Sequence, residues 1–158
     1  MHKNFLKYII FFGVSLVLVS IDQYTKFLAK TKLYNQPPYV VIDDVIEFLY
    51  VENTGAAFGI LKDRQSFFYV LTVVILAAIL ILLYKLKLER QNIFYYIILI
   101  FLFSGAIGNF IDRVKNKYVV DFIYFKPINF PVFNFADILI TLSMIFLILL
   151  SIVTYKND

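Results

Sequence analysis

Asp121 and Asp137 are the residues of this chain best suited, by type and setting, to do chemistry. Asp121 lies in Tyr118-Val119-Val120-Asp121-Phe122-Ile123. Asp137 lies in Phe133-Asn134-Phe135-Ala136-Asp137-Ile138, at the head of a long apolar run. A carboxylate at or near membrane depth is costly unless it is paired, hydrogen-bonded or protonated, so each is a functional candidate by default. Their settings differ. Asp137 would stand near a helix N-terminus, where the dipole suits a negative charge. Asp121, among valines and phenylalanines, favours its neutral form by desolvation. Two carboxyls in such unlike settings, sharing one proton, are what an aspartic peptidase needs. One activates water as general base while the other donates to the carbonyl oxygen. The titration belongs to the pair, and the shared proton is assigned to neither residue. Lys126-Pro127 and Pro131 would let the intervening segment fold back and bring the two together.

Three smaller constellations accompany the pair. Asp22 and Lys26 are i, i+4 on one helical face, either an ion pair fixing helix depth at the interface or a polar wall for a site. Asn109, Asp112 and Arg113 share a face at i, i+3, i+4, a spacing that reads first as a structural network and could still hold a catalytic carboxylate in place. Asn134 and Asp137 are three apart, and on that motif alone capping of the following helix is the readier reading. Other chemistries are excluded by composition. The chain has no cysteine and a single histidine, His2, so a thiolate nucleophile, a Ser-His or Cys-His apparatus and a His-rich metal site are all absent. No metal and no cofactor are expected.

The elements that must position these residues are membrane spans. The 158 residues are 61% hydrophobic, with a mean hydropathy of +0.81, well above the roughly 45–50% apolar content of a soluble domain. The excess falls in four runs, about 5–28, 67–84, 93–111 and 135–153, each able to cross a hydrocarbon core. One membrane-embedded domain over residues 1–158 is expected. Lys3 and Lys7 ahead of Ile9–Ile21 resemble a secretory signal, but Asp22-Gln23-Tyr24-Thr25-Lys26 follows in place of small residues, so the segment reads as a retained first span. The short basic turn Lys85-Leu86-Lys87-Leu88-Glu89-Arg90 suggests the cytoplasmic side, with both termini sharing it. Segments 30–66 and 112–134 would then lie outside, although they too carry lysines and arginines. The net charge of +4 comes from scattered cations, which suits anionic lipid headgroups and not nucleic acid.

The first outer segment has strand character. Tyr39-Val40-Val41-Ile42 and Val45-Ile46-Glu47-Phe48-Leu49-Tyr50-Val51 are β-branched and aromatic and are split by Asp43-Asp44, as in a hairpin lying on the membrane surface. Gly55, Gly59, Gly105 and Gly108 fall in two compact motifs. They permit close helix approach or, beside Asn53 and Asn109, make a small polar cavity.

Read together, Asp22-Gln23-Tyr24-Thr25-Lys26, Asn53-Thr54-Gly55-Ala56-Ala57-Phe58-Gly59, Gly105-Ala106-Ile107-Gly108-Asn109-Phe110-Ile111-Asp112-Arg113, Val119-Val120-Asp121-Phe122 and Phe133-Asn134-Phe135-Ala136-Asp137 occur in order along nearly the whole chain. This resembles the bacterial lipoprotein signal peptidases, or signal peptidase II. The resemblance implies an all-α integral membrane protein of four transmembrane helices, with a small extracytoplasmic β-cradle between helices 1 and 2. It implies an aspartic endopeptidase that removes signal peptides from prolipoproteins, cutting just before a cysteine that already carries diacylglycerol. Asp121 and Asp137 would be the catalytic dyad. Asn53, Gly55, Gly108, Asn109, Asp112, Arg113 and Asn134 would line or brace the site, with Asp22 and Lys26 helping to shape it. Diacylated prolipoproteins and membrane lipids are the implied partners, a monomer in the bacterial cytoplasmic membrane the implied state, and globomycin the inhibitor. Ser104 stands where the family often has glycine, and the segment between the two aspartates is compact. The surface strands could hold an extended substrate by main-chain hydrogen bonds. The rival readings are a proton-coupled transporter with the two aspartates as relay groups, and a scaffold whose polar clusters only join helices.

Overall fold

The computed structural model describes residues 2–55 and 61–155. Residues 56–60, which include Gly59 and most of the second motif, lie outside the described residues. Four helices carry the chain: α1 (His2–Leu33), α2 (Gln65–Lys85), α3 (Ile93–Asn116) and α4 (Phe135–Tyr155). All four are long and apolar enough to cross a membrane. Three strands, β1 (Tyr39–Ile42), β2 (Ile46–Asn53) and β3 (Val119–Phe125), complete the described fold.

The helices differ in how they meet their neighbours. α2 is apolar on every side and buries only Phe68, Ile79 and Leu83, so most of its surface is left for lipid. α3 is the central helix and packs against each of the other three. Its two glycines explain how closely. A Cβ on Gly105 would lie 2.5 Å from the Ala136 carbonyl oxygen of α4, and one on Gly108 would lie 2.5 Å from the Asp22 carboxylate of α1. Close approach and a polar cavity are thus one design, because the space freed at Gly108 is filled by a carboxylate.

α1 runs to Leu33, five residues past the expected end of its span. At 1.5 Å per residue its 32 residues reach about 48 Å, more than a hydrocarbon core requires. The extra turns are held by packing, since Ala29 and Leu33 lie against Val120, Phe122 and Phe48 of the sheet. α3 likewise extends beyond 111, to Asn116, and closes on Lys117 in the left-handed conformation (φ 68°), whose N–H returns to the Arg113 carbonyl. Asp112 and Arg113 therefore sit inside the helix.

The sheet is antiparallel in the order β1-β2-β3. Its third strand comes from the segment between α3 and α4, so the expected cradle between helices 1 and 2 is completed by a strand from the other outer segment. β2 starts at Ile46 and runs through Asn53, with Asp44 at positive φ in the turn before it. A register shift between Phe48 and Val51 sets Val51 opposite Asp121 and Asn53 opposite Val119. Val119–Phe122 is buried on both faces, which accounts for its unbroken apolar character. Val120 and Phe122 pack toward α1 while Val119 and Asp121 face a cavity. Beyond β3 the chain turns at Lys126–Ile128 and Asn129 and comes back alongside. The Phe133 carbonyl accepts the N–H groups of Phe122 and Ile123, and the Phe133 N–H returns to the Ile123 carbonyl. This fold-back places the start of α4 next to Asp121.

At the other end of the bundle, Lys7 is buried and donates to the carbonyls of Tyr84 (3.2 Å) and Leu86 (2.8 Å), where Tyr96 also donates to Leu86. A cation there satisfies carbonyls that α2 leaves open at its C-terminus.

Candidate active site

The start of α4 explains how Asp137 is aimed. Asn134 is the N-cap: its Oδ1 accepts the Asp137 N–H (3.0 Å) while the Asp137 Oδ2 accepts the Asn134 N–H (3.2 Å). This reciprocal pairing is a capping box with aspartate in the third helical position. The capping reading of this motif is correct, and it does not compete with chemistry. It uses one carboxylate oxygen and leaves Oδ1 to accept the Asn109 amide at 2.8 Å.

Asp121 is held from two sides. Its Oδ1 accepts the Asn134 amide (2.6 Å) and its Oδ2 accepts the Asn53 amide (2.8 Å). Asn53 is oriented in turn, because its Oδ1 accepts the Gly55 N–H at 2.9 Å. Asn134 also donates to the Asn109 Oδ1 (3.1 Å). One amide thus joins both aspartates and the asparagine that holds the second of them. Asp121 is only 2% exposed. Burial first, and the neighbouring Asp137 second, push its carboxyl up to about 7, against the opposing pull of the Asn53 and Asn134 amides and the Lys26 charge. The neutral form expected of Asp121 from its apolar neighbours has a physical basis in the fold.

Behind the two aspartates lies a buried polar layer. Lys26 pairs with Asp22 (2.9 Å) and Asp112 (3.2 Å) and donates to the Asn109 Oδ1 (2.9 Å). Asp22 accepts the Ala136 N–H and Asp112 accepts the Val120 N–H. Asp22 and Lys26 are the expected i, i+4 ion pair, buried behind the cavity and joined to Asp112 and Asn109. Arg113 donates to the Gly55 carbonyl (3.2 Å), and its guanidinium stacks over the Phe68 ring at 4.5 Å.

The sequence-predicted residues converge. Asp121, Asp137, Asn53, Gly55, Asn109 and Arg113 line one cavity of about 420 Å³. Asp22, Lys26, Gly108, Asp112 and Asn134 lie behind its polar end and touch those residues or the backbone beside them. The remaining wall is apolar, formed by Phe130–Phe133 and by Ile138, Ile140, Thr141 and Leu142 of α4. Thr141 lines the cavity and is exposed. Among the described residues no group of three or more His, Cys, Asp or Glu side chains is arranged to hold a metal ion.

Sequence reasoning missed Gln23, whose amide donates to Asp22, Asp112 and the Gly108 carbonyl. The only local signal was a second polar residue beside Asp22 in an apolar span. It also missed the apolar wall of Phe130–Phe133, which carries no chemical group to mark it. β1 forms one edge of the sheet, two strands from Asp121, and on the far side of β3 Phe133 pairs with Ile123.

Comparisons with known proteins agree with this geometry. The family model described as Signal peptidase (SPase) II matches residues 14–153. The lipoprotein signal peptidase of Clostridium tetani is 44% identical over 135 residues, covering 83% of this chain and 85% of the relative. That of Caldanaerobacter subterraneus subsp. tengcongensis is 45% identical over 131 residues, covering 82% and 87%. A bacterial membrane enzyme solved by the in meso method superposes with a TM-score of 0.85 at 33% identity, covering 94% of this chain and 90% of that one. With the ordered motifs folded into a single site, the chain belongs to the signal peptidase II family.

Proposed function

We propose that Asp121 and Asp137 are the catalytic dyad with which this member of the signal peptidase II family removes signal peptides from prolipoproteins. The observation that carries the proposal is the Asn134 side chain. Its amide binds the Asp121 carboxylate while its carbonyl oxygen binds the Asp137 N–H, over one shared cavity. In that arrangement a single proton is shared. The ionised carboxylate takes a proton from water, and the protonated one donates to the scissile carbonyl oxygen as the tetrahedral centre forms. Arg113 and the Gly55 carbonyl border the polar end of the cavity and would orient the peptide.

The substrate is a prolipoprotein whose cysteine already carries diacylglycerol, and cleavage falls just before that cysteine. The apolar wall that α4, itself a candidate membrane span, gives to the cavity supports this reading, because a lipidated cysteine must enter from the bilayer. An even number of spans puts both termini on one side, with the basic turn at Lys85–Arg90 and away from the sheet. We assign that side to the cytoplasm and the site to the outer face of the bacterial membrane. The protein is read as a monomer that has membrane lipids as its other partners. The proton-relay reading of the two aspartates is set aside, since the relatives are peptidases.

The test is cleavage of a synthetic diacylglyceryl-cysteine prolipoprotein in micelles by wild type, Asp121→Asn and Asp137→Asn, each checked by thermal melt. The wild type is expected to cut before the lipidated cysteine, and both folded variants are expected to be inert. Cleavage by either folded variant at the wild-type rate would overturn the dyad.

A further inference from the structure

Asp22 and Asp112 form a second, buried carboxylate pair whose geometry mirrors the dyad. Asp22 Oδ1 accepts the N–H of Ala136 (2.9 Å), the residue before Asp137. Asp112 Oδ2 accepts the N–H of Val120 (3.1 Å), the residue before Asp121. Each therefore fixes a peptide plane that ends on the residue before a proposed catalytic aspartate, one peptide unit from it. Two donors bridge the pair. Lys26 Nζ lies 2.9 Å from Asp22 and 3.2 Å from Asp112. Gln23 Nε2 lies 3.2 Å from Asp22 and 3.0 Å from Asp112, and 3.2 Å from the Gly108 carbonyl between them.

We propose that Asp22 and Asp112, drawn together by Lys26 and Gln23, act as a yoke that sets the separation of Asp121 and Asp137, with Gln23 as a positioning residue of the reaction. The proposal rests on the dyad reading given above. A yoke is needed because the two aspartates come from different elements, a strand and a helix N-terminus, and like charges in a buried site repel. Asn134 ties them on the cavity side, and the yoke ties their backbones from behind. None of Asp22, Gln23, Lys26 and Asp112 lines the cavity itself.

The charged groups facing the dyad are Asp22 and Lys26 of α1 and Asp112 and Arg113 of α3. β2 contributes the neutral amide of Asn53, and α2 reaches this region through Tyr69, which donates to the Arg113 carbonyl. Removing the Gln23 amide leaves all of these charges in place and weakens only the bridge. The carboxylates Asp22 and Asp112 then separate, and the peptide planes they hold separate with them. A wider dyad feels less mutual repulsion and gives up its shared proton at lower pH. The alkaline limb of the kcat profile should move down by about half a pH unit, as for like charges ~4 Å apart that draw ~1 Å further apart at an effective dielectric of about 20.

The experiment is kcat and KM against pH for wild type, Gln23→Met and Asp121→Asn on the diacylglyceryl-cysteine prolipoprotein, with a thermal melt for each. Gln23→Met is expected to lower kcat about tenfold, to keep KM within about twofold, and to shift the alkaline limb as stated. A merely structural glutamine would lower the melting temperature and leave the pH profile of the folded fraction where it was; that result, or a change confined to KM, overturns the yoke. If Gln23→Met does not fold, Gln23→Asn, which withdraws the amide by one methylene, must shift the limb in the same direction, and an unmoved limb there overturns it equally. An inert Asp121→Asn alongside a wild-type-like Gln23→Met removes the yoke alone, whereas an active Asp121→Asn removes the dyad and the yoke together.

Discussion

Replacing Gly108 by alanine should separate activity from stability in a way that follows from one close approach. The added methyl would lie 2.5 Å from the Asp22 Oδ2 and 3.2 Å from the Ala136 Cβ. Its nearest obstacle is a side chain, so the carboxylate can withdraw, by roughly an ångström, and the helices need part only slightly. That withdrawal loosens the Ala136 N–H bond and the Lys26 pair, both 2.9 Å now. Overpacking of this kind costs about 1–3 kcal/mol of stability. The catalytic cost is on the order of a hundredfold in kcat, because a displacement of about 1 Å is passed to the peptide plane before Asp137. Gly105→Ala is the control. Its methyl would meet the Ala136 carbonyl oxygen at 2.5 Å and the Ile140 Cγ1 at 2.7 Å. Backbone cannot step aside, so α3 and α4 must separate, and stability falls by about 3 kcal/mol or more. The assay is cleavage of the lipidated prolipoprotein together with thermal melts of both variants. A Gly108→Ala protein that melts with wild type and keeps half or more of its kcat would refute the reasoning.

Two further outcomes are expected. Asp121 holds its proton up to about pH 7 in the fold, against about 4 for an exposed aspartate. The folded state thus binds the extra proton through that window, and stability falls as pH rises from about 4 to about 7, by at most on the order of 4 kcal/mol. Asp121→Asn should flatten that slope in melts taken across the range, and an unchanged slope would count against the buried-carboxyl account. At the opposite end of the bundle, Lys7→Met removes the donor from the Tyr84 and Leu86 carbonyls. It should lower stability by about 1–3 kcal/mol and leave kcat of the folded protein near the wild-type value; a large loss of kcat would show that the two ends are coupled.

The spans and the residues of the candidate site were legible in the sequence for physical reasons that are local. Unbroken apolar runs announce helices that need no water, and a carboxylate inside one has few structural uses. The pairing of Asn134 with Asp137 could be read because a capping box involves residues three apart. What stayed hidden depends on contacts between distant residues. The third strand was missed because its first half, Val119–Phe122, is buried on both faces and lacks the alternation that marks a half-exposed strand. The extension of α1 to Leu33 follows from Ala29 and Leu33 packing on a sheet whose strands lie far along the chain. Gln23 was passed over because its partners Gly108 and Asp112 are 85 and 89 residues away. Its neighbour Asp22 was recognisable only because Lys26 stands one turn later.

One side of the cavity is walled by α4, a helix long and apolar enough to cross a membrane. A compound that reaches the aspartates by that side is first a solute of the bilayer. Its dose is then its mole fraction in lipid, not its molarity in the surrounding buffer. Once most of the compound has partitioned, the concentration needed for half-inhibition rises in proportion to the lipid or detergent supplied. Two inhibitors with equal contacts in the cavity would rank by partition coefficient, and values measured at different lipid loads would not be comparable until expressed per lipid.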